Sequence, residues 1–264
     1  MSKPFWSLRL TQKEDSVSGD KSIDFPRLVA FFGPDGAGKS TQAGLLSRYF
    51  ESEGLRVKKA WVRSTHTFAY MLWRLFYHFN LCEDRSGMAR RISCKFAVSY
   101  LNENRYGAVS PITMCPPILR NRFSKFLWSI AELAGIVPVV LLQVYLPLFL
   151  GLTVVAERYV LDSVASIAYF LGDERFDRTW RARLLLSLVP RKTLFVFVDA
   201  PYSTIVSRRG ELAGPEDYTN FHRRMFKRLA ERVSAVRFDA STNSIDEIHK
   251  EILASVRGHS GLTV

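Results

Sequence analysis

The sequence predicts an α/β fold, a five-stranded parallel sheet flanked by helices on both faces. Three observations carry that reading. Short apolar runs alternate along the chain with stretches whose apolar residues repeat at helical spacing, the pattern of strands joined by crossover helices. A glycine-rich loop stands between the first apolar run and the first helical stretch. The chain has 264 residues, 47% hydrophobic and 23% charged, which is enough for one large domain and unlike the composition of a disordered chain.

Residues 1–25 mix Ser, Lys, Asp and Gly without a sustained period and read as a flexible N-terminal tail ending at Pro26. Polar and apolar residues alternate there too quickly for a secretory signal. Residues 26–258 then form the domain. RLVAFF, Arg27 to Phe32, is the short apolar run of a buried parallel strand, and Gly38 to Glu53 carries Leu45, Leu46, Tyr49 and Phe50 at helical spacing. RVKKAWV (56–62) reads as a second strand, TFAYMLWRLFYHF (67–79) as a helix and LTVVAER (152–158) as a third strand. KTLFVFVDA (192–200) and AVRFDAS (235–241) are the fourth and fifth.

Two stretches fit less simply. Residues 80–125 hold Arg85, Arg90, Arg91, Lys95, Arg105, Arg120 and Arg122 around a proline-rich centre, SPITMCPP, and read as a basic, helical insertion with no place on the sheet. Phe126 to Ala156 is apolar apart from Glu132 and passes the length test for a membrane span. Pro138 and Pro147 are expected to break it, and its LTVV is needed as the third strand, so a core or interfacial helix of ordinary length is expected.

A formal charge of +12 predicts attraction to anions, whether phosphates, nucleic acids or anionic lipid heads. Cys82, Cys94 and Cys115 are an odd number at irregular spacing, which fits neither a disulfide framework nor a zinc site. A reducing cytoplasm is the expected location.

The strongest motif is GPDGAGKST, Gly33 to Thr41, which satisfies G-x-x-x-x-G-K-[ST] after a strand and opening a helix. Gly33, Gly36 and Gly38 let the backbone turn tightly, so that N–H groups from Gly33 through Ala37 to Thr41 point at a phosphate chain. The helix N-terminus adds its positive dipole. Lys39 would reach the β and γ phosphates and Ser40 would offer a hydroxyl to Mg²⁺, so ATP and Mg²⁺ are the expected cofactors. The duller reading is a chance glycine-rich turn. No Asn-Lys-x-Asp motif follows, which argues against a GTPase switch, and the His-Arg-Asp and Asp-Phe-Gly set of protein kinases is missing. Arginines stand near the expected strand ends: Arg63, Arg158, and the pair Arg208 and Arg209. Ligands of open parallel sheets bind there, and phosphoryl transfer needs such cations.

FFGPDGAGKSTQAGLL, ERYVLDSVASIAYF, FVFVDAPYSTIVSRRGE, FHRRMFKRLAE and FDASTNSIDEIHKEI resemble, in order, the blocks of thymidylate kinases. The resemblance covers most of Arg27 to Ile252 and skips the insertion. It implies a P-loop kinase fold with a mobile lid, and transfer of a phosphoryl group from Mg-ATP to dTMP to give dTDP. Asp35 sits where the family's P-loop acid touches the sugar hydroxyl of the acceptor. The family's Asp-Arg-Tyr motif maps onto Glu157, near metal and phosphates, and Arg158, on the acceptor phosphate; Glu for Asp is a departure that adds a methylene. Arg63, in WVRST, resembles a second arginine on the acceptor phosphate, without the usual Glu-Pro after it.

Gly36 stands where one group of the family has arginine, so the chain resembles the group that draws its catalytic arginine from the lid. Arg208 and Arg209 are the candidates, with Gly210 and Gly214 as hinges. Asp239-Ala240-Ser241 resembles the loop beside adenine, and Asp199 resembles a Walker B acid that the family makes structural. Three have a plainer competitor: a turn stabilised by Asp35, a surface ion pair of Glu157 with Arg158, and helix-end charges at Arg208 and Arg209; for Asp199 the alternative to the structural role is metal contact.

The family holds thymine with a Phe stack and an arginine on one helix. The stretch LWSIAELAGIVPVV has no arginine, leaving Phe126 and Trp128 to stack and Arg120 or Arg122 to serve from further back. The alternatives are therefore a P-loop kinase of another nucleotide or small phosphorylated acceptor, or a non-kinase ATP-binding module on a membrane surface or nucleic acid. ATP and a nucleoside monophosphate are the expected partners, with a homodimer through the apolar segment allowed by the resemblance. Nucleic acid is not expected as a partner, and peripheral membrane contact is not the favoured reading.

Overall fold

A computed structural model of the chain describes residues 25–62, 71, 75, 83–84, 114–115 and 121–259. The tail before Phe25, Arg63, most of residues 80–125 and the 67–79 helix apart from Met71 and Leu75 lie outside the described residues.

All five expected strands form, each within a residue or two of its apolar run. They are β1 (Leu28–Phe32), β2 (Val57–Ala60), β5 (Thr153–Glu157), β6 (Thr193–Asp199) and β7 (Val236–Asp239), all parallel in the order β2-β5-β1-β6-β7. Leu28 stands level with Val154 on one side and Thr193 on the other. Helix α1 (Lys39–Ser52) follows the glycine loop, α2 (Arg122–Val140) precedes β5, and α3 (Val160–Leu171) and α4 (Trp180–Ser187) lead to β6. The chain ends with α5 (Tyr202–Arg209), α6 (Glu216–Arg232) and α7 (Ile245–His259) around β7.

The three central strands, β5, β1 and β6, are buried on both faces, which is why they read as unbroken apolar runs, whereas the edge strands β2 and β7 carry exposed Lys58, Lys59 and Arg237. Leu28, Ala30 and Phe32 of β1 enter a core shared with Ile136 of α2, Val164 of α3, Leu185 of α4 and Phe226 of α6. Val29 and Phe31 enter the opposite core with Leu46 of α1, Ile205 of α5 and Ile252 of α7. Phe32 stacks on Phe197 of β6 with ring centroids 5.2 Å apart. The connection β1–α1–β2 crosses one face and β5–α3–α4–β6 the other. Chain leaving β1 and β5, which are neighbours, therefore parts to opposite faces and opens a crevice at their carboxyl ends, the switch point of an open α/β sheet.

Two expectations need correction. The apolar segment is not cut at its prolines: α2 continues through a π-helical turn (Leu141–Tyr145) and a last α turn (Leu146–Phe149), 28 residues in all. Pro138 lies on the exposed side, as does Ala134, whose carbonyl loses its helical donor there and can turn to water. The π turn just beyond absorbs the register change, and Pro147 falls in the first positions of the closing turn, where a missing N–H costs little. In the insertion, β3 (Glu83–Asp84) pairs antiparallel with β4 (Met114–Cys115), so these four residues are not helical; Arg122 to Lys125 begin α2, and the rest of the expected helical flap lies outside the described residues. Cys115 precedes Pro116, and the residue before a proline is pushed out of the helical region.

Candidate functional site

The first half of the site grows from the end of β1. A Cβ on Gly33 would lie 2.0 Å from the backbone carbonyl oxygen of Val198 on β6, so only glycine lets the loop leave the sheet there. Gly36 and Gly38 adopt φ of +92° and +99°, left-handed values that turn the loop into α1. Lys39 opens that helix. Its Nζ donates to the carbonyls of Gly33 and Pro34, at 2.7 Å each, and lies 3.6 Å from Asp35 Oδ1. Burial lowers its pKa to about 8; the Arg158 charge works the same way and Asp35 opposes it.

The second half comes from β5. Arg158 has φ +67°, unusual for a residue with a side chain. Its N–H donates to Phe31 O (3.0 Å) and its carbonyl accepts from the Val62 N–H (3.3 Å), so the backbone is pinned between β1 and the end of β2. The side chain then turns to the glycine loop: Nη2 donates to Asp35 Oδ1 and Nη1 lies 3.4 Å from Asp162 Oδ1. Burial acts against the Arg158 charge, and Asp35 and Asp162 more than offset it, so its pKa rises. The neighbouring Glu157 accepts a hydrogen bond from Ser40 Oγ. Glu157 and Arg158 do not form the ion pair of the plainer reading; each reaches across to the loop instead.

Asp162, in the first turn of α3, escaped the sequence reading. It is 1% exposed, and burial raises its pKa to about 6. Its Oδ2 meets no hydrogen-bond donor. The signal was present as the four-residue spacing from Arg158, but an acid inside an apolar helix also suits a cap or a turn.

Lys39, Ser40, Glu157 and Arg158 line one cavity of about 750 Å³, bordered at the β2 end by Lys59 and Trp61. The Trp61 N–H donates to Gln143 Oε1 in the π turn of α2, at 2.9 Å, a link no sequence pattern announced. Arg209 also lines the cavity. Its Cδ lies so close over Gly36 that a Cβ there would be 2.8 Å away. Arg208 points elsewhere and donates to the carbonyl of Ala240. The structure thus separates a pair that the sequence left equivalent. Gly210 and Gly214, both at positive φ, bracket the short 3-10 turn after α5.

Asp199 faces α6. It takes both Nε and Nη2 of Arg223, at 2.8 and 2.9 Å, with Lys227 at 3.5 Å and its own next N–H, of Ala200, at 2.9 Å. Beside it, the Asp239 carboxylate accepts from the backbone and hydroxyl of Ser241, which lowers its pKa, the hydroxyl bond most. The Ala240 N–H donates to Asp199 O at 2.9 Å.

The base-reading candidates fare differently. Trp128 is buried against Phe170, 5.1 Å between centroids, and Phe126 lies beside Trp180 and under the Arg181 guanidinium. Both are engaged in joining α2 to α3 and α4. Arg122 is exposed at the start of α2, and Arg120, like Arg63, lies outside the described residues. Among the described residues no group of three or more His, Cys, Asp or Glu is placed to hold a metal ion. No protein-family model matches the chain, and no curated protein matches it in sequence.

Proposed function

We propose that the chain is an ATP-dependent phosphotransferase of the thymidylate kinase type, moving the γ-phosphoryl of Mg-ATP to the 5′-phosphate of a deoxynucleoside monophosphate, dTMP first among them. The observation that carries this reading is the meeting of a phosphate loop with Glu157 and Arg158 on one cavity at the switch point of the sheet.

The donor set suits the nucleotide and its metal. Ser40 and Glu157, already bonded to each other, offer a hydroxyl and a carboxylate oxygen, a partial set fit for a hard cation that keeps water and phosphate as its other ligands. Ser40 and Glu157 would hold Mg²⁺, which when bound would offset the negative charge of the donor phosphates. Lys39 would exchange the carbonyls of Gly33 and Pro34 for those phosphates, whose negative charge favours its protonated form. Arg209, lying over Gly36, is the lid arginine placed to share the transition-state charge, while Arg208 fastens α5 to the Asp239-Ala240 loop. Arg158 would hold the acceptor phosphate and Asp35 the sugar hydroxyl. In the transfer the bond from the γ phosphorus to its bridging oxygen breaks as a bond to an acceptor phosphate oxygen forms. That oxygen is already anionic, so no general base is required.

A second reading, another acceptor for the same donor chemistry, is favoured by one observation. Between Phe126 and Val140, α2 carries no arginine and buries Glu132 instead. A pocket without a polar reader discriminates weakly between bases. ADP release from Mg-ATP, measured against a panel of nucleoside monophosphates with a no-acceptor control, decides. Turnover that requires dTMP supports the first reading and turnover with a different acceptor the second. ATP binding with no acceptor-dependent release would leave a non-kinase module. Lys39→Ala should cost kcat at least roughly 100-fold in either kinase reading, and unchanged turnover would sink both.

A further inference from the structure

We propose that the outer surface formed by α2 and α4 docks on an anionic membrane surface, with α2 lying in the interface rather than crossing it. This inference rests on the fold and charge of that surface and is independent of the phosphotransferase reading.

The helix from Arg122 to Phe149 is long and apolar enough to span a bilayer, with a mean hydropathy of 1.9 over its most apolar window, of which 44% is buried. Spanning is excluded by its inner face. Trp128, Leu133, Ile136, Val140 and Val144 are packed into the core beside the sheet. The outer face is apolar too. Phe123, Leu127, Leu142 and Phe149 are exposed along it, Phe149 to 88%. Trp180 and Leu184 of α4, both exposed, continue the patch, with Trp180 6.5 Å from Phe126. The stripe runs the length of the element, roughly 40 Å at 1.5 Å per residue.

Charge selects the occupant. From Arg122 to Ala156 and from Arg178 to Val198 the sole acid is Glu132, which is 2% exposed. Arg122, Arg178, Arg183, Arg191 and Lys192, all exposed, come from the same two stretches. Within these two stretches of described residues, an apolar face with aromatic side chains is joined by exposed cations and no exposed acid, the makeup of a surface that settles among anionic headgroups. A second copy of the chain is the poorer occupant, because a two-fold contact sets the same patch against itself and brings like charges together.

The test is sedimentation of the full chain with vesicles of phosphatidylcholine alone and of phosphatidylcholine mixed with phosphatidylglycerol, across a salt series. The chain should pellet with the mixed vesicles, bind pure phosphatidylcholine at least tenfold more weakly, and be released as salt rises. Leu142→Ser with Phe149→Ser should weaken binding roughly tenfold or more while leaving the circular dichroism and unfolding midpoint in place. Arg191→Glu with Lys192→Glu should do the same by charge alone, and decides the matter if the first variant does not fold. A chain that stays in solution with mixed vesicles at low salt overturns the proposal. So does binding that survives the charge variant, or a dimer that the apolar double variant dissociates.

Discussion

At the scale of single residues, the site holds two charges that burial disfavours, and they tilt stability in opposite pH windows. Burial raises the Asp162 carboxyl to about 6 from an ordinary 3.8, so the folded chain binds a proton more tightly than the unfolded chain between those values. Stability should fall as pH rises through that window. Lys39 is lowered to about 8 from 10.5, chiefly by burial, so the unfolded chain holds the extra proton between those values and stability should rise with pH there. Asp162→Asn tests the acid side. Urea midpoints measured near pH 4 and near pH 7 should differ less in the variant than in the parent, and an undiminished difference would show that Asp162 is not the group responsible. The glycines separate in the same way. Gly33→Ala drives a Cβ into the Val198 backbone and should cost roughly 2–4 kcal/mol. Gly36→Ala meets the flexible end of Arg209 at 2.8 Å and should cost about 1–2 kcal/mol for its positive φ. Its larger effect should be on kcat, about tenfold, through a displaced Arg209; a variant with parental kcat would remove Arg209 from the transfer. The residues legible in the sequence were those whose chemistry is contiguous, GPDGAGKST and Glu157-Arg158. Asp162 and Trp61 were not, because their roles arise only when the folded chain sets Asp162 beside the Arg158 side chain and the Trp61 backbone beside Gln143 of the π turn. Arg208 and Arg209 could not be told apart, since adjacent residues at a helix end point in different directions.

At the scale of elements, the central strands β5, β1 and β6 were legible because burial on both faces leaves an apolar run with no alternation to misread. The helix before β5 was not sized correctly. Proline as a helix breaker applies where the lost donor and the displaced carbonyl are buried, and on the exposed side of α2 they are not. Nothing in the letters LLQVY announces a π turn, yet that turn carries Gln143 to the Trp61 backbone and so joins α2 to the cavity. The other joint is between β6 and α6. Arg223 grips Asp199 with two hydrogen bonds that raise its own pKa, and Asp199 is nearly buried at the end of β6. Arg223→Ala leaves that carboxylate with Lys227 at 3.5 Å and the Ala200 N–H. The expected loss is roughly 1–3 kcal/mol, read as a lower denaturant midpoint. Asp199→Asn with Arg223→Ala together should cost less than the sum of the two single changes, since each single variant strands a partner; strict additivity would mean that the two side chains do not cooperate in holding α6 to the sheet.

At the scale of the whole molecule, the cavity joins elements that belong to opposite faces of the sheet. Lys39 and Ser40 begin α1, packed in the core with α5 and α7, whereas Arg158 and Asp162 lead into α3, packed in the core with α2, α4 and α6. A ligand bridging them ties the two cores together, so nucleotide binding should register as global stability rather than as local order. A ligand that binds only the folded chain adds about 2.7 kcal/mol at 100 times its Kd. For a domain of this size each kcal/mol moves Tm by about 2–4 °C, so saturating Mg-ATP should raise Tm on the order of 5–10 °C. With a net charge of +12 the chain will also respond to anions in general, so the comparison belongs at fixed ionic strength, with inorganic phosphate as the control. Lys39→Ala should keep the small rise due to phosphate and lose most of the rise due to Mg-ATP. An equal rise in parent and variant would mean that the nucleotide binds by charge alone, away from the glycine loop, and the phosphotransferase reading would then lose the donor half of its site.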